Sequence, residues 1–209
     1  MNQPLRHLAL AAALSAAANA HAVSDAAGDI LPSFTGAPVG ALDILAAEVS
    51  FDALANNFLL HARTAGPIAG ADGVAYIFGF NRGGAANAPF GPIGVPGVSF
   101  NSTVTLRANG TAGVGATPIA APTISDNDIF GVVSASLLPS NGLEAKDYTW
   151  ALWAIDGNIA GLARNADFAP TSNVAVGAVP EPETYALMAA GLGMVAFAAR
   201  RRRETAASR

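Results

Sequence analysis

Tyr76-Ile77-Phe78-Gly79-Phe80, followed by Asn81-Arg82-Gly83-Gly84, decides the fold of this chain. On an extended backbone successive side chains point to opposite faces, so Tyr76, Phe78 and Phe80 share one face while Ile77 and Gly79 share the other. That period of two marks a strand, and the Asn-Arg-Gly-Gly run after it marks a turn. The same alternation recurs in both directions. Val104 and Leu106 stand between Thr103, Thr105 and Arg107, and Tyr148, Trp150 and Leu152 alternate with Thr149, Ala151 and Trp153. Residues 44–51, 58–63, 98–100 and 129–138 read the same way. Turn signals separate these runs at Ala71-Asp72-Gly73, Ala108-Asn109-Gly110, Ser140-Asn141-Gly142 and Ile155-Asp156-Gly157. About seven or eight short strands so punctuated predict an all-β fold, a single antiparallel β-sandwich or barrel over residues 23–168.

Three stretches need a decision within that frame. Residues 42–55 are alanine-rich enough to suggest a helix, but Asn56-Asn57 reads as a turn between two strands. Residues 83–97 are too dense in glycine and proline for a central strand and are expected as a long loop. Residues 169–178 read as a linker between the domain and the C-terminal segment.

Composition narrows the function. Only 12% of the 209 residues are charged, about half the usual roughly 25%, while 52% are hydrophobic. There is no cysteine, so disulfides, thiolate metal sites and a cysteine nucleophile are excluded. Between residues 23 and 178 five bases (Arg63, Arg82, Arg107, Lys146 and Arg164) face twelve acids, a net charge of −7. Nucleic-acid binding needs a basic footprint that this domain lacks. The same sign argues against docking on anionic lipid head groups.

Catalytic chemistry is sought with little return. His61 is the one histidine beyond position 21, and alternation puts it with Leu59 and Arg63, opposite Phe58 and Leu60, on the solvent face of a strand. No nucleophile elbow accompanies it, and zinc cannot assemble its usual ligands. Paired carboxylates for glycoside cleavage are available as Glu48, Asp52, Glu144 and Asp147, but no spacing singles out a pair. Asp126-Asn127-Asp128 sets carboxylates at alternate positions, which would suit calcium through Asp126 and Asp128. A turn whose side chains satisfy local backbone N–H groups explains the same residues. Trp150 and Trp153, three apart, fall on opposite strand faces. One is expected in the core; the other is expected to be covered as well, with an open sugar-stacking platform beside Asp147 and Asp156 as the alternative.

The two ends carry the strongest signals. Arg6 and His7 precede an apolar run from Leu8 to Ala18, then Ala18-Asn19-Ala20 and Ala20-His21-Ala22. A positive start, a short apolar core and an A-x-A site make residues 1–22 a signal peptide for signal peptidase. At the other end, Pro180-Glu181-Pro182-Glu183-Thr184 leads into an uncharged run over residues 185–199 and then Arg200-Arg201-Arg202-Arg203, with a tail over residues 204–209. As a helix this run spans about 22 Å at 1.5 Å per residue. Flanking residues and snorkelling arginines must supply the rest of a roughly 30 Å hydrocarbon core. The arginines keep that end in the cytoplasm. Pro180 and Pro182 hold the segment before the helix extended, in a form that a protease cleft accepts.

This order of a Pro-Glu-Pro motif, a single hydrophobic helix and a basic cluster over residues 179–203 resembles the PEP-CTERM sorting signal of Gram-negative bacteria. The resemblance covers the signal alone. It implies recognition and cutting near Pro180, Glu181 and Pro182 by the membrane protease exosortase, after transient insertion in the inner membrane. Delivery to the cell surface or the extracellular matrix follows, in biofilm-type polymer. The combined reading is an exported, non-enzymatic protein with a structural or binding role in extracellular polymeric substance, with polysaccharide as a partner and no cofactor required. The competing classes are a secreted polysaccharide hydrolase using two carboxylates and a calcium-dependent adhesion module.

Overall fold

The computed structural model describes residues 22–179 together with Gly191 and Leu192. Residues 1–21 and 180–190 lie outside the described residues, as do residues 193–209. The expectations for the signal peptide, the hydrophobic helix and the arginine cluster fall there. The described residues up to Ala178 form one compact unit, and a second begins at Val179.

Twelve strands occur among the described residues. In chain order they are β1 (Val23–Ser24), β2 (Ile44–Asp52), β3 (Asn57–Thr64), β4 (Val74–Asn81), β5 (Ser102–Arg107) and β6 (Ala112–Val114). The series continues with β7 (Thr117–Pro118), β8 (Thr123–Ser125), β9 (Asp128–Ser134), β10 (Thr149–Asp156), β11 (Asn165–Ala175) and β12 (Gly177–Ala178). One sheet is ordered β1-β2-β3-β9-β8, and β12 joins it alongside β2. The other is ordered β11-β10-β4-β5-β6-β7. All pairings between strands are antiparallel except that of β12 with β2, and an isolated parallel bridge joins Gly97 to Ser172. The sheets remain two separate layers, so of the two architectures expected, the sandwich stands and the closed barrel does not.

The decisive strand behaves as its alternation requires. Val74, Tyr76, Phe78 and Phe80 of β4 enter the core between the sheets, together with Trp150, Leu152 and Ala154 of β10 and Phe58 and Leu60 of β3. The odd-numbered face of β4 is buried too. Ala75 and Ile77 join Ala151, Trp153 and Ile155 in a second apolar cluster on the outer side of the same sheet. The cover is the long connection between β4 and β5, which lays Phe90, Val95 and Val98 over that face. The stretch expected as a loop over residues 83–97 is therefore a loop with a lid's packing. It is pinned by Asn87 pairing with Phe100 and by a hydrogen-bonded exchange between Ser99 and Asn173. Gly79 makes the packing possible, because a Cβ there would meet the Trp153 ring at 2.6 Å. A glycine inside a strand marks such close approaches.

Several boundaries differ from the expectation. Residues 169–178 are not a linker: they complete β11 and form β12. Val174 pairs with Trp150, Val176 is buried, and Gly177 and Ala178 lie beside Ser50 and Phe51. Small side chains and Pro170 disguised this edge as a spacer. Residues 98–100 contribute only the single Asn87–Phe100 bridge. The run over 129–138 stops as a strand at Ser134, whose hydroxyl accepts from the Ser136 N–H and starts a 3-10 turn over Ala135–Leu137. Between β2 and β3 the chain turns through Ala53–Asn56, with Asn56 at φ +52, and Asn57 already belongs to β3.

Candidate functional site

The outer face of the second sheet is covered only in part. Where the cover ends, a cavity of about 710 Å³ opens beside β5. Alternation on β5 turns Thr103, Thr105 and Arg107 to this side, while Val104 and Leu106 go to the core. Asn109 and Asp72 come from neighbouring turns, and Arg164 comes from the 3-10 turn Gly161–Arg164. The floor is apolar: Ile77, Phe100 and Trp153 line it. Phe100 stays half-buried against the Trp153 ring at 5.1 Å and Phe90 at 5.9 Å. The site thus has a rigid aromatic base and a rim of hydroxyl, amide and guanidinium donors, the mixture usual in sites for polar small ligands.

The first sheet leaves its outer face bare. Leu59, Phe130 and Val132 are exposed there, and the His61 ring stacks on Phe130 at 4.4 Å. His61 sits on the solvent side of β3 between buried Leu60 and Ala62. Its Nε2 lies 2.7 Å from Asp128 Oδ1, and the Arg63 guanidinium binds both oxygens of Asp128 at 3.1 Å. The hydrogen bond from Arg63, with help from His61, holds the Asp128 carboxyl below its ordinary pKa. That carboxylate already has two partners. Asp126 stands at φ +53 in the turn between β8 and β9, where Asn and Asp are tolerated. Asp126 and Asp128, weighed from the sequence as a turn or a calcium site, stand in a hairpin turn with Asp128 engaged by Arg63 and His61.

A different acidic group forms where no expectation placed one. Asp25, Asp29 and Asp167 bring carboxylate oxygens within 4.8 Å of one another. Asp167 is buried on β11 and accepts from the Ile44 N–H at 2.7 Å and the Phe168 N–H at 2.7 Å. Asp43 lies against the same loop, accepting from Gly28 N–H at 2.8 Å. Asp25 Oδ2 and Asp43 Oδ1 are shielded from solvent with no hydrogen-bond donor among the described residues. Burial raises the Asp25 carboxyl to about 6, with repulsion from Asp29 and Asp43 adding to it. Burial likewise raises Asp167 to about 7, against the two backbone N–H groups and with Asp25 adding repulsion. Asp25 and Asp29 lie four apart in one loop, but Asp167 joins them from 138 residues further along the chain, so no local spacing announces the group.

Of the remaining candidates only Glu144 and Asp147 come together, around Lys146 on the exposed surface. Trp150 is in the core and Trp153 is 3% exposed beneath Phe90 and Phe168, so neither tryptophan offers the open stacking platform considered from sequence. Glu144 and Asp147 both pair with Lys146, and Asp52 accepts from Ala55 N–H in its turn. Glu48 pairs across from His61 on the bare face. None of the four lines the large cavity.

The domain is an all-β sandwich, and the segment after it carries a recognisable motif. Residues 178–203 match the family described as PEP-CTERM protein-sorting motif. The chain carries that motif, which implies export through the membrane and sorting by exosortase. The match includes Pro180, Glu181 and Pro182 and the cluster Arg200, Arg201, Arg202 and Arg203. No curated protein and no solved structure matches the chain.

Proposed function

We propose that this protein is a non-enzymatic binding or structural component of the extracellular polymer, released to the cell surface or matrix after processing at its PEP motif. The observation that carries the reading is the three-part signal matched at 178–203, attached to a domain that ends at Ala178. Signal peptidase removes residues 1–22, residues 185–199 insert transiently in the inner membrane, and exosortase cuts near Pro180–Pro182. The non-enzymatic part of the reading rests on the sequence, where no nucleophile elbow occurs and no spacing singles out a carboxylate pair. Intact mass of the protein recovered from the cell surface tests the processing, with loss of everything beyond about Pro182 expected. Recovery of Arg200–Arg203 in that material would refute it and leave a permanent anchor.

A second reading, the calcium-dependent adhesion module, is favoured by one observation: the orphaned oxygens of Asp25 and Asp43 beside Asp167. Carboxylate-rich, water-poor pockets suit this hard cation. It requires a rise in melting temperature with millimolar calcium that Asp25→Asn abolishes and Asp126→Asn does not. No rise in the unaltered protein would end it.

A further inference from the structure

We propose that the cavity bounded by Arg107 and Arg164 binds an acidic sugar unit, a uronate-type residue of the extracellular polymer, through its carboxylate. This deepens the proposed function and rests on it for the source of the ligand, not for the chemistry of the site.

How the domain's five cations are engaged decides the matter. Arg63 is held by Asp128, and Lys146 by Glu144 and Asp147. Arg82 is built into the fold, donating to the side chain and carbonyl of Asn101 and to the Pro139 carbonyl. Arg107 and Arg164 alone make no ion pair and no side-chain hydrogen bond among the described residues. Both line the same cavity. In a domain with twelve acids, two guanidiniums without a carboxylate partner on one cavity are not explained by structural need. Asp72 also lines the cavity, yet it lies beyond ion-pair distance of either arginine.

The rest of the lining matches such a ligand. Guanidinium presents a planar fork of donors that fits a carboxylate in bidentate fashion, which a lysine would not. Thr103, Thr105 and Asn109 offer donors and acceptors for ring hydroxyls, and the Asp72 carboxylate accepts from them. Phe100 gives the apolar face of a pyranose ring a surface to rest on. A volume of about 710 Å³ lies inside the roughly 300–1,000 Å³ span of small-ligand sites. The domain's −7 charge repels a polyanion at long range, so attraction must be local and geometric. Discrimination therefore comes from the bidentate contacts, not from steering.

The test is calorimetric titration of the purified full-length protein with a galacturonic acid trimer, a glucose trimer of the same size, and a sulfated trimer. The acidic trimer should bind at least tenfold more tightly than the neutral one, and a sulfated trimer that binds more tightly than the acidic one overturns the choice of a carboxylate, since the fork also accepts tetrahedral oxyanions. Arg107→Gln and Arg164→Gln should each weaken binding about tenfold or more, and Arg107→Lys nearly as much. Arg63→Gln, on the opposite sheet, should leave it unchanged. None of these side chains supports the fold through a partner inside the core, and matching melting temperatures verify this. Equal affinity for acidic and neutral trimers, no binding of either, or insensitivity to both arginine substitutions overturns the proposal. Surface delivery is read separately by mass: an uncut protein that still binds the acidic trimer defeats the matrix role and leaves the site, whereas a cut protein that does not bind defeats the site and leaves the delivery.

Discussion

Replacing Asp25 by asparagine should stabilise the protein, and only at neutral to alkaline pH. Asp25 and Asp167 have folded-state pKa values of about 6 and about 7, above the 3.8 expected of an unfolded aspartate. The folded state therefore holds protons that the unfolded chain has released, and stability falls as pH rises from about 4 through about 7. The stability that these groups contribute is complete below about 4 and gone above the folded values. A shift of about two units at Asp25 corresponds to about 3 kcal/mol at 1.36 kcal/mol per unit. Asp25 is only half-buried, so solvent screening reduces this to about 1–1.5 kcal/mol. Asparagine removes the charge, relieves Asp29, Asp43 and Asp167, and can offer a donor in place of the orphaned Oδ2. Urea unfolding at pH 4 and pH 8, in a chelating buffer, reads the effect. The variant should match the unaltered protein at pH 4 and exceed it by about 1–1.5 kcal/mol at pH 8, or about 2–6 °C in Tm. Carboxylates that do not interact with Asp25 cancel in the difference between the two proteins. An equal gain at both pH values, or a loss at pH 8, refutes the reasoning.

Gly79→Ala should destabilise the domain by about 1–3 kcal/mol, because the new methyl would press on the Trp153 ring and displace the cover; thermal unfolding with tryptophan fluorescence reports both. A chain cut after Phe168 should fail to fold cooperatively while one cut after Ala178 should fold, since the shorter form loses the Val174–Trp150 pairing and buried Val176; circular dichroism and protease resistance distinguish them. Asp128→Asn should cost no more than about 1 kcal/mol, because Arg63 is largely exposed and such surface pairs are weak. Its depressed pKa gives it the opposite pH trend from Asp25, a contribution present at neutral pH and lost as pH falls through its folded value.

Legibility followed the range of the interactions. Strands β4, β5 and β10 were readable because the side chains that bury them alternate within a few residues of one another. The same alternation sets Trp150 and Trp153 on opposite faces, and the favoured reading that both are covered matches the structure, although the covering groups could not be named. That outcome depends on Phe90 and Phe168, which arrive from loops and strands far along the chain. Strands β6, β7, β8 and β12 are only two or three residues long, so they carry no period to read. The cavity obeys the same rule. Thr103, Thr105 and Arg107 were visible as one face of a strand, yet Arg164 and Asp72 reach them only through the fold. The sorting signal is legible because it is read as linear sequence by its machinery.

The missing linker changes what that machinery must do. Gly177 and Ala178 pair with Ser50 and Phe51, and Val176 N–H donates to the Tyr148 carbonyl at 2.9 Å, so the folded domain runs to within two residues of Pro180. A protease cleft binds several extended residues on either side of the bond it cuts, and the residues before the motif are engaged in a sheet. Opening β12 exposes a few backbone hydrogen bonds worth about 1 kcal/mol each, or about 1–3 kcal/mol together. At 1.4 kcal/mol per tenfold, that slows productive engagement about 5- to 100-fold. A six-residue Gly-Ser insertion after Val179 should therefore accelerate release of the mature protein by about fivefold or more in a pulse-chase experiment. The same insertion after Thr184, beyond the motif, should not accelerate it. Equal release rates for the unaltered chain and the Val179 insertion would mean that the protease engages only residues past Val179, and β12 would then be a structural edge with no bearing on processing.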